Sequence, residues 1–280
     1  MPELAEVETI VRALASGGRG GPSILGYTIK DASFYWERTL AAPAVEDFQK
    51  RISGQRVIGV TRRAKFVVVQ LTDDFLIVHL RMSGDLRVEP QWIPEPPVLK
   101  PHDRMVLIFT NGGALVFNDP RKFGKAWLVQ QTEDLLGGLG PEPFDETLTG
   151  SLFYRMLHAR SRHLKPLLMD QHFLAGLGNI YTDESLFQAR LHPLTPSNAL
   201  SMEQSSQLLT AIRSVLVEGI NRNGASIDWV YRGGDFQNTF KVYQRDGEPC
   251  YNCSTIIKRI IVGQRGTHFC PNCQAGSSKI

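Results

Sequence analysis

Long hydrophobic runs and cysteines are both scarce in this sequence. No apolar stretch approaches the roughly 20 residues that span a membrane. Glu3, Glu6 and Glu8 lie where a secretory signal peptide would be free of acids. Both observations predict a cytoplasmic protein with no membrane partner. The four cysteines all lie between positions 250 and 273, so disulfides cannot form the framework of the fold.

Charge of one sign is not in excess either. Lys and Arg number 31 against 28 Asp and Glu, which gives a net charge of +3. This balance is too even to indicate a polyanionic partner, so a nucleic-acid site must come from local clusters of basic residues. With 280 residues, 42% of them hydrophobic, the chain can bury the cores of two domains, or of one large and one small domain.

The first half of the sequence predicts a helix and then a β-sandwich. Leu4, Val7, Val11 and Leu14 recur at spacings of three and four, which is typical of the buried face of a helix over residues 3–15. Short β-branched and aromatic runs with turn sequences between them follow, and they favour a sandwich with flanking helices over residues 1–134. The predicted strands are 66–71, 75–80, 105–109, 114–117 and 126–129.

The second half reads as helical, so the predicted fold class is α+β. A segment rich in glycine and proline predicts a hinge at 135–147, followed by a helical domain at 148–246 and a small unit at 247–280. Ser201 with Gln204 forms a capping-box sequence at the start of a helix. Asn179 is expected to cap another helix that runs to about Arg190.

The four cysteines predict one structural zinc ion. Cys250 and Cys253 form one CxxC pair, Cys270 and Cys273 form another, and sixteen residues separate the pairs, a spacing typical of tetrahedral zinc sites. Four thiolates leave no coordination position open for water, so the metal is not expected to be catalytic. A zinc ribbon that contacts proteins, or a corner with two disulfides, would have the same cysteines.

Basic residues cluster near the cysteines and in one earlier segment. Lys258, Arg259, Arg265 and His268 lie between the two CxxC pairs with no acidic residue among them, which predicts a positive edge suited to phosphates. The segment 154–165 is also basic and has no acid. A solvated helix face is the simpler interpretation of that segment. Its basic residues are Arg155, His158, Arg160, Arg162, His163 and Lys165.

Pro2 is a candidate nucleophile. Proline followed by acids is ordinary at the start of a helix. However, Met1 is usually removed before so small a residue, which would expose a secondary amine. An α-amino group has a pKa near 8, so about a tenth of it is neutral at pH 7 and can attack a sugar carbon. Glu3 stands where an acid could assist ring opening.

Seven segments, in order along nearly the whole chain, resemble the formamidopyrimidine-DNA glycosylase family. They are MPELAEVET at 1–9, RRAKF at 62–66, HLRMSG at 79–84, DPRKFG at 119–124, LGPEP at 139–143, GLGNIY at 176–181 and the cysteine finger. The resemblance implies a bacterial enzyme that removes oxidised purines, 8-oxoguanine and formamidopyrimidines, and then cleaves the strand. It also implies an N-terminal sandwich, a helix-two-turn-helix domain and a β-hairpin zinc finger.

The same resemblance implies the catalytic roles. Pro2 would form a Schiff base with the deoxyribose, and Glu3 would be its acid-base partner. Lys65 would assist phosphate contact and elimination, and Arg265 would act in the second, δ-elimination step. The partner would be damaged double-stranded DNA, bound by a monomer without a small-molecule cofactor.

The resemblance also implies the DNA contacts. His102, Arg121 and Arg160 match phosphate-binding positions, and Asn179 lies at the turn of the helix-two-turn-helix, where the start of a helix directs free N–H groups at a phosphate. Met82, Arg121 and Phe123 match residues that fill the space left by an extruded nucleotide. By themselves, Met82 and Phe123 would be interpreted as core or loop packing. The segment 232–237 resembles a loop that covers the flipped base.

Two departures from the family pattern and two alternative functions remain. Ala5 replaces a second proline, and Arg81 replaces a glycine, which puts the preference for particular bases in question. An endonuclease VIII-like enzyme for oxidised pyrimidines would share Pro2, Glu3 and the finger, although Leu4 and the segment 6–8 favour the purine enzyme. A relative that binds lesions without catalysis would share the fold.

Overall fold

The computed structural model describes residues 1–93, 99–226 and 233–275. Backbone contacts divide the chain into two compact units, one of residues 1–137 with 223–234 and the other of residues 138–222 with 235–280. Among the described residues, no helix has the length and apolar character needed to cross a membrane.

The described residues contain seven α-helices and eleven β-strands. The helices are α1 Leu4–Ser16, α2 Val45–Ile52, α3 Glu133–Leu136, α4 Gly150–His158, α5 Leu164–Leu168, α6 Asn179–Gln188 and α7 Met202–Asn221. The strands are β1 Ile29–Phe34, β2 Leu40–Ala42, β3 Val57–Arg63, β4 Phe66–Leu71, β5 Phe75–His79, β6 Asp85–Glu89, β7 Asp103–Phe109, β8 Ala114–Asn118, β9 Lys125–Val129, β10 Lys258–Val262 and β11 Arg265–Phe269.

The N-terminal unit is a β-sandwich, as predicted. One sheet has the strand order β1-β7-β8-β6 and the other has the order β2-β9-β5-β4-β3. One hydrophobic core contains residues of both sheets, of α1 and of α2. The five predicted strands are confirmed with small differences at their ends, whereas β1, β2, β3, β6 and α2 were not predicted. Three of the missed strands, β1, β3 and β6, carry charged residues that weaken the alternation of apolar and polar side chains.

Helix α1 forms because one of its faces is almost wholly apolar. Leu4, Val7, Val11 and Leu14 are all buried, as the spacing predicts. The helix ends at Gly17, which has a φ of +82° that suits glycine. The packed apolar face fixes the direction of the helix, and with it the place of the residues that precede Leu4.

The C-terminal unit is helical, with a β-hairpin at its end. The capping box of Ser201 and Gln204 at the start of α7 is confirmed by a hydrogen bond in each direction. The prediction for Asn179 is wrong in one respect, because Gly178 is the N-cap of α6 and Asn179 is the first helical residue. Two turns connect α5 to α6, and the side chain of Gln171 hydrogen-bonds to three backbone groups within them.

The hairpin of β10 and β11 forms around a two-residue turn. Val262 pairs with Arg265, and the intervening Gly263 and Gln264 have φ values of +54° and +62°. Positive φ at both positions is the geometry of the type I′ turns that close tight hairpins. Arg265 therefore follows immediately after the tip of the hairpin.

Candidate active site, DNA interface and zinc centre

The N-terminus is held in place by the first turn of α1. Pro2 is buried, Met1 before it is exposed and Glu3 is almost fully buried. The Glu3 backbone N–H donates to Glu6 Oε2 at 2.7 Å, so the Glu6 carboxylate satisfies a donor that the helix itself leaves unpaired. These contacts give the residues around the candidate nucleophile a defined geometry.

Glu6 also contacts a segment that is distant in sequence. Its Oε1 accepts a hydrogen bond from the Ala225 N–H at 2.8 Å. At Gly224, which has a φ of +80°, a Cβ would lie 2.7 Å from the Glu6 side chain, so only glycine fits this position. One buried carboxylate therefore joins the start of α1 to residues 224–225.

The segment predicted to cover the flipped base is described in part. Arg232 lies outside the described residues. Further along, Phe236 is buried and its ring stacks on Tyr181 with centroids 5.1 Å apart. Gly234 donates its backbone N–H to Ser226 Oγ at 3.0 Å.

Lys65 lies in a tight turn and is largely buried. Arg63 pairs with Phe66, so Ala64 and Lys65 form the two-residue loop between β3 and β4. Lys65 is 5% exposed. A buried ammonium in such a turn is fixed in position, as a group that contacts a phosphate should be.

His79 is a further candidate functional residue, beyond those that the family resemblance implies. Burial, together with the positive charges of Arg81 and Lys65, lowers the pKa of His79 to about 3. Its Nδ1 accepts the Arg81 backbone N–H at 2.9 Å, which places the proton of the neutral ring on Nε2. His79 is therefore an uncharged hydrogen-bond donor near Lys65. Its place in the HLRMSG segment was the available signal.

Met82 and Phe123 are exposed, so the interpretation of these residues as core packing is wrong. Phe123 is 51% exposed, and Met82 is exposed as well. Arg121 places its guanidinium 5.4 Å from the centre of the Phe123 ring, a cation–π contact. Exposed apolar side chains beside an arginine match what is needed to fill a gap in a base stack.

Asp119 holds the segments that carry Met82 and Phe123 together. This buried carboxylate accepts hydrogen bonds from Ser83 Oγ, the Arg121 N–H and the Gly124 N–H. A Cβ at Gly124 would lie 2.3 Å from the Phe117 ring, so glycine is required for this close approach. Asp119 therefore fixes two loops with one side chain, which explains why the DPRKFG segment needs both its first and last residues.

His102 and Arg81 have backbone conformations that glycine usually adopts. His102 has a φ of +75° and is exposed, and its Nδ1 lies 3.3 Å from Arg104 Nη2. Arg81 has a φ of +56°. A non-glycine residue there costs about 1–2 kcal/mol, which gives a physical reason for a glycine at this position.

The basic segment at 154–165 is only partly exposed. Arg155 and Arg160 lie on the surface, and Arg160 Nη1 donates to its neighbour's carbonyl, that of Ala159, at 3.2 Å. Arg162 pairs with Asp170 at 2.7 Å. Lys165 is fully buried, so the prediction that it forms part of a phosphate-binding surface is wrong.

Asp183 on α6 explains why Lys165 and His268 are buried. Lys165 Nζ lies 2.6 Å from Asp183 Oδ1 and also donates to the Gly266 carbonyl at 3.1 Å. The His268 backbone N–H donates to Asp183 Oδ2 at 2.9 Å. His268 was predicted to extend the positive edge of the hairpin and instead points inward. Lys258, Arg259 and Arg265 are exposed, as predicted.

Asn179 is directed towards the hairpin. Its Nδ2 donates to the Gly266 carbonyl at 3.1 Å. Its Oδ1 is buried and has no hydrogen-bond partner among the described residues. Gly266 follows the exposed Arg265. Asn179 and Lys165 both donate hydrogen bonds to the Gly266 carbonyl, so together they hold the backbone next to this arginine.

The four cysteines fit a tetrahedral metal site. All four sulfurs lie within 4.8 Å of one another, with separations of 3.4 Å for Cys253–Cys270, 3.5 Å for Cys253–Cys273 and 3.9 Å for Cys250–Cys273. A zinc ion with bonds of about 2.3 Å needs sulfurs about 3.8 Å apart, whereas a disulfide needs about 2.05 Å. Backbone N–H groups of Asn252 and Cys273 point at two of the sulfurs, as in zinc knuckles.

The N-terminal β-sandwich has a buried proline just before its first helix, and it is followed by a helical unit and a hairpin with four cysteines. This combination defines a class of DNA repair proteins. Three family models match the chain. They are the formamidopyrimidine-DNA glycosylase N-terminal domain at residues 1–126, the H2TH domain of the same proteins at 139–230, and the zinc finger found in FPG and IleRS at 247–276. The chain belongs to the formamidopyrimidine-DNA glycosylase family, and its finger holds one structural zinc ion.

Similar proteins match the whole chain. The formamidopyrimidine-DNA glycosylase of Chloroflexus aurantiacus is 43% identical, with 98% of each chain covered, and that of Protochlamydia amoebophila is 40% identical over 98% of this chain and 99% of its own. The Lactococcus lactis enzyme, solved with DNA that contains N7-benzyl-Fapy-dG, superimposes with a TM-score of 0.88 at 35% identity over 98% of this chain and 100% of its own. The same enzyme with abasic-site DNA gives 0.88 at 34%, with the same coverage.

Proposed function

We propose that this chain is a bifunctional DNA glycosylase and abasic-site lyase. It excises 8-oxoguanine and formamidopyrimidines from duplex DNA and then cleaves the strand by β- and δ-elimination, in base excision repair. One observation carries this proposal. The chain matches formamidopyrimidine-DNA glycosylases over its full length, and it begins with an intact Pro2–Glu3 pair after Met1. The protein acts as a monomer in the bacterial cytoplasm, and its domains are 1–134, 148–246 and 247–280 with a hinge at 135–147.

The first step uses the amine of Pro2 once Met1 has been removed. The nitrogen forms a bond to C1′ of the deoxyribose, and the bond from C1′ to the oxidised base breaks, so the base leaves with that electron pair. Glu3 donates a proton to the sugar ring oxygen, the departing base takes up the proton that the amine loses, and the opened sugar becomes an iminium on Pro2. Loss of a proton from C2′ then breaks the bond to the 3′ phosphate, with Lys65 at that phosphate. Arg265 assists the second elimination, which breaks the bond to the 5′ phosphate.

The remaining assigned residues bind the DNA. His102, Arg121, Arg160 and Asn179 contact phosphates, and Met82 and Phe123 enter the stack beside Arg121 when the damaged nucleotide is extruded. Zinc in the finger has no chemical role. When it is bound to its four cysteines, it holds the hairpin that carries Arg265.

Borohydride trapping tests the nucleophile. The wild-type protein should be trapped covalently on a duplex with 8-oxoguanine, and mass spectrometry should place the sugar on Pro2. In Pro2→Gly, trapping and nicking should fall steeply, since glycine changes the secondary amine to a primary one. As a matched control, a short N-terminal extension converts the nitrogen of Pro2 to an amide without changing any side chain, and it should abolish trapping.

The outcomes separate the alternatives. An adduct on any residue other than Pro2, or full activity of the extended protein, would overturn the mechanism. Faster excision of thymine glycol than of 8-oxoguanine would favour the endonuclease VIII-like activity. Tight binding without any trapping would favour a non-catalytic lesion-binding protein.

A further inference from the structure

Glu8 connects α1 to the loop that carries Lys65. Its Oε2 lies 3.0 Å from Arg62 Nε, and its Oε1 lies 2.8 Å from Arg12 Nε. The side chain of Arg62 is 10% exposed, whereas that of Arg12 is 61% exposed. One carboxylate therefore has a buried partner on β3 and a solvated partner on its own helix. Ion pairs that are exposed to solvent contribute little to the free energy of folding.

Arg62 extends this connection to the loop itself. Its Nη1 donates to the Ala64 carbonyl at 3.1 Å, and Lys65 is the next residue. Ala64 is fully buried and has a φ of +52°, at a position where two-residue hairpin loops favour glycine or asparagine. A strained backbone of this kind persists where its surroundings determine it. The guanidinium of Arg62 is one of the groups that do so.

The charge state of Glu8 is compatible with a permanent contact. Burial by itself would raise the pKa of Glu8, but hydrogen bonds from Arg12 and Arg62 outweigh it and hold the pKa below its usual value. The carboxylate is therefore ionised wherever the protein is folded near neutral pH.

We propose that Glu8 and Arg62 are positioning residues that fix Lys65 relative to Pro2. Pro2 and Glu3 immediately precede α1, and Glu8 lies one turn into that helix. The chain of contacts from Glu8 through Arg62 to the Ala64 carbonyl sets the place of the Lys65 loop against the same helix. The inference rests on the proposed function, since it concerns the lysine and the amine that act on the same sugar.

Single-turnover kinetics on an abasic-site duplex test this inference. Glu8→Gln keeps the shape of the side chain and removes the charge, and it should slow strand cleavage about tenfold with little change in the enzyme concentration that gives half the maximal rate. Arg62→Gln should have a similar effect, and the double variant should be no slower than Arg62→Gln alone, because the two residues act as one unit. Arg12→Gln removes the exposed partner of the same carboxylate and should cleave at the wild-type rate.

Chemical labelling gives a second readout that does not require activity. Lys65 is largely buried, so acetylation of the native protein, followed by mass spectrometry, should modify it slowly in the wild type and in Arg12→Gln. Glu8→Gln should raise its labelling several-fold at a temperature where all variants remain folded. If the wild type neither traps nor cleaves, the proposed function fails, while a rise in labelling would still support the positioning role.

Two results would overturn the inference. One is a Glu8→Gln protein that cleaves, and is labelled at Lys65, as the wild type does. The other is a double variant whose loss of rate equals the product of the two single losses, since that would show independent effects. A purely structural role would lower thermal stability without changing the rate at temperatures where the variant is folded.

Discussion

Acidification should destabilise the N-terminal unit through His79. The unfolded chain binds a proton at His79 below about pH 6.5, the usual pKa of histidine, whereas the folded protein does so only below about 3. Between these values the unfolded state binds more protons. The stability that His79 contributes is therefore complete above pH 6.5 and is lost as the pH falls towards 3.

The size of the effect follows from the two pKa values. The full difference corresponds to about 5 kcal/mol in the free energy of unfolding, and about 2 kcal/mol of it is lost between pH 6 and pH 4.5. His79 is well buried, so solvent screening does not reduce this figure greatly. Protonation would also place a charge beside Lys65 and Arg81, the two cations that help to lower the pKa.

Urea denaturation at a series of pH values measures the loss. Tryptophan fluorescence reports this unit, because the Trp127 ring lies 6.2 Å from that of Phe66 in the sandwich. His79→Asn removes the titrating group, and its Oδ1 can still accept the Arg81 N–H. The free energy of unfolding of the wild type should fall more steeply than that of the variant, by about 2 kcal/mol between pH 6 and pH 4.5.

A control separates the charge from the packing of the ring. The His79 and Phe66 rings are in edge-to-face contact with centroids 4.6 Å apart. Phe66→Leu removes this contact and keeps the imidazole, so it should lower stability at every pH and leave the slope close to that of the wild type. Parallel curves for the wild type and His79→Asn would refute the reasoning, since they would show that His79 titrates alike in both states.

Three further predictions concern the C-terminal unit. Arg160→Ala should weaken binding to DNA of any sequence and reduce the salt dependence by about one ion in a plot of log K against log salt; an unchanged slope would remove Arg160 from the interface. Chelation of zinc, or Cys270→Ser, should weaken DNA binding while the tryptophan-detected unfolding of the N-terminal unit is unaltered; unchanged affinity would contradict this. Lys165→Met leaves the buried charge of Asp183 without its ammonium and should cost about 3 kcal/mol or more by urea denaturation, whereas Arg162→Gln, which breaks an exposed pair, should cost less than about 1 kcal/mol.

The elements that could be predicted from the sequence have strong local signals. Helix α1 was predicted because its apolar residues recur with the helical period, and β4 and β5 because they are continuous apolar runs. By contrast, β1 and β6 contain aspartate, arginine or lysine and depend on strands distant in sequence for their hydrogen bonds. Their strand conformation follows from pairing more than from propensity.

The residues of the candidate site also fall into two groups, those that the sequence identifies and those that only the structure shows. The exposed positions of Phe123 and Arg265 agree with the roles that the family pattern implies. His79, Glu8 and Arg62 were not recognised, since none of them is unusual until its neighbours are known. The burial of Lys165 could not be predicted for the same reason, because its partner Asp183 lies eighteen residues away on another helix.

The sequence by itself determined the order of the elements and the arrangement of the four cysteines in two CxxC motifs. It also determined that the amine of Pro2 becomes the N-terminus once Met1 is removed. These features depend on covalent spacing, which the sequence states directly. Only the tertiary structure decided which charged groups are buried, which backbone positions are strained and how far the pKa of His79 is lowered. Burial and electrostatic fields are sums over all surrounding atoms, and those atoms come from parts of the chain that only the fold brings together.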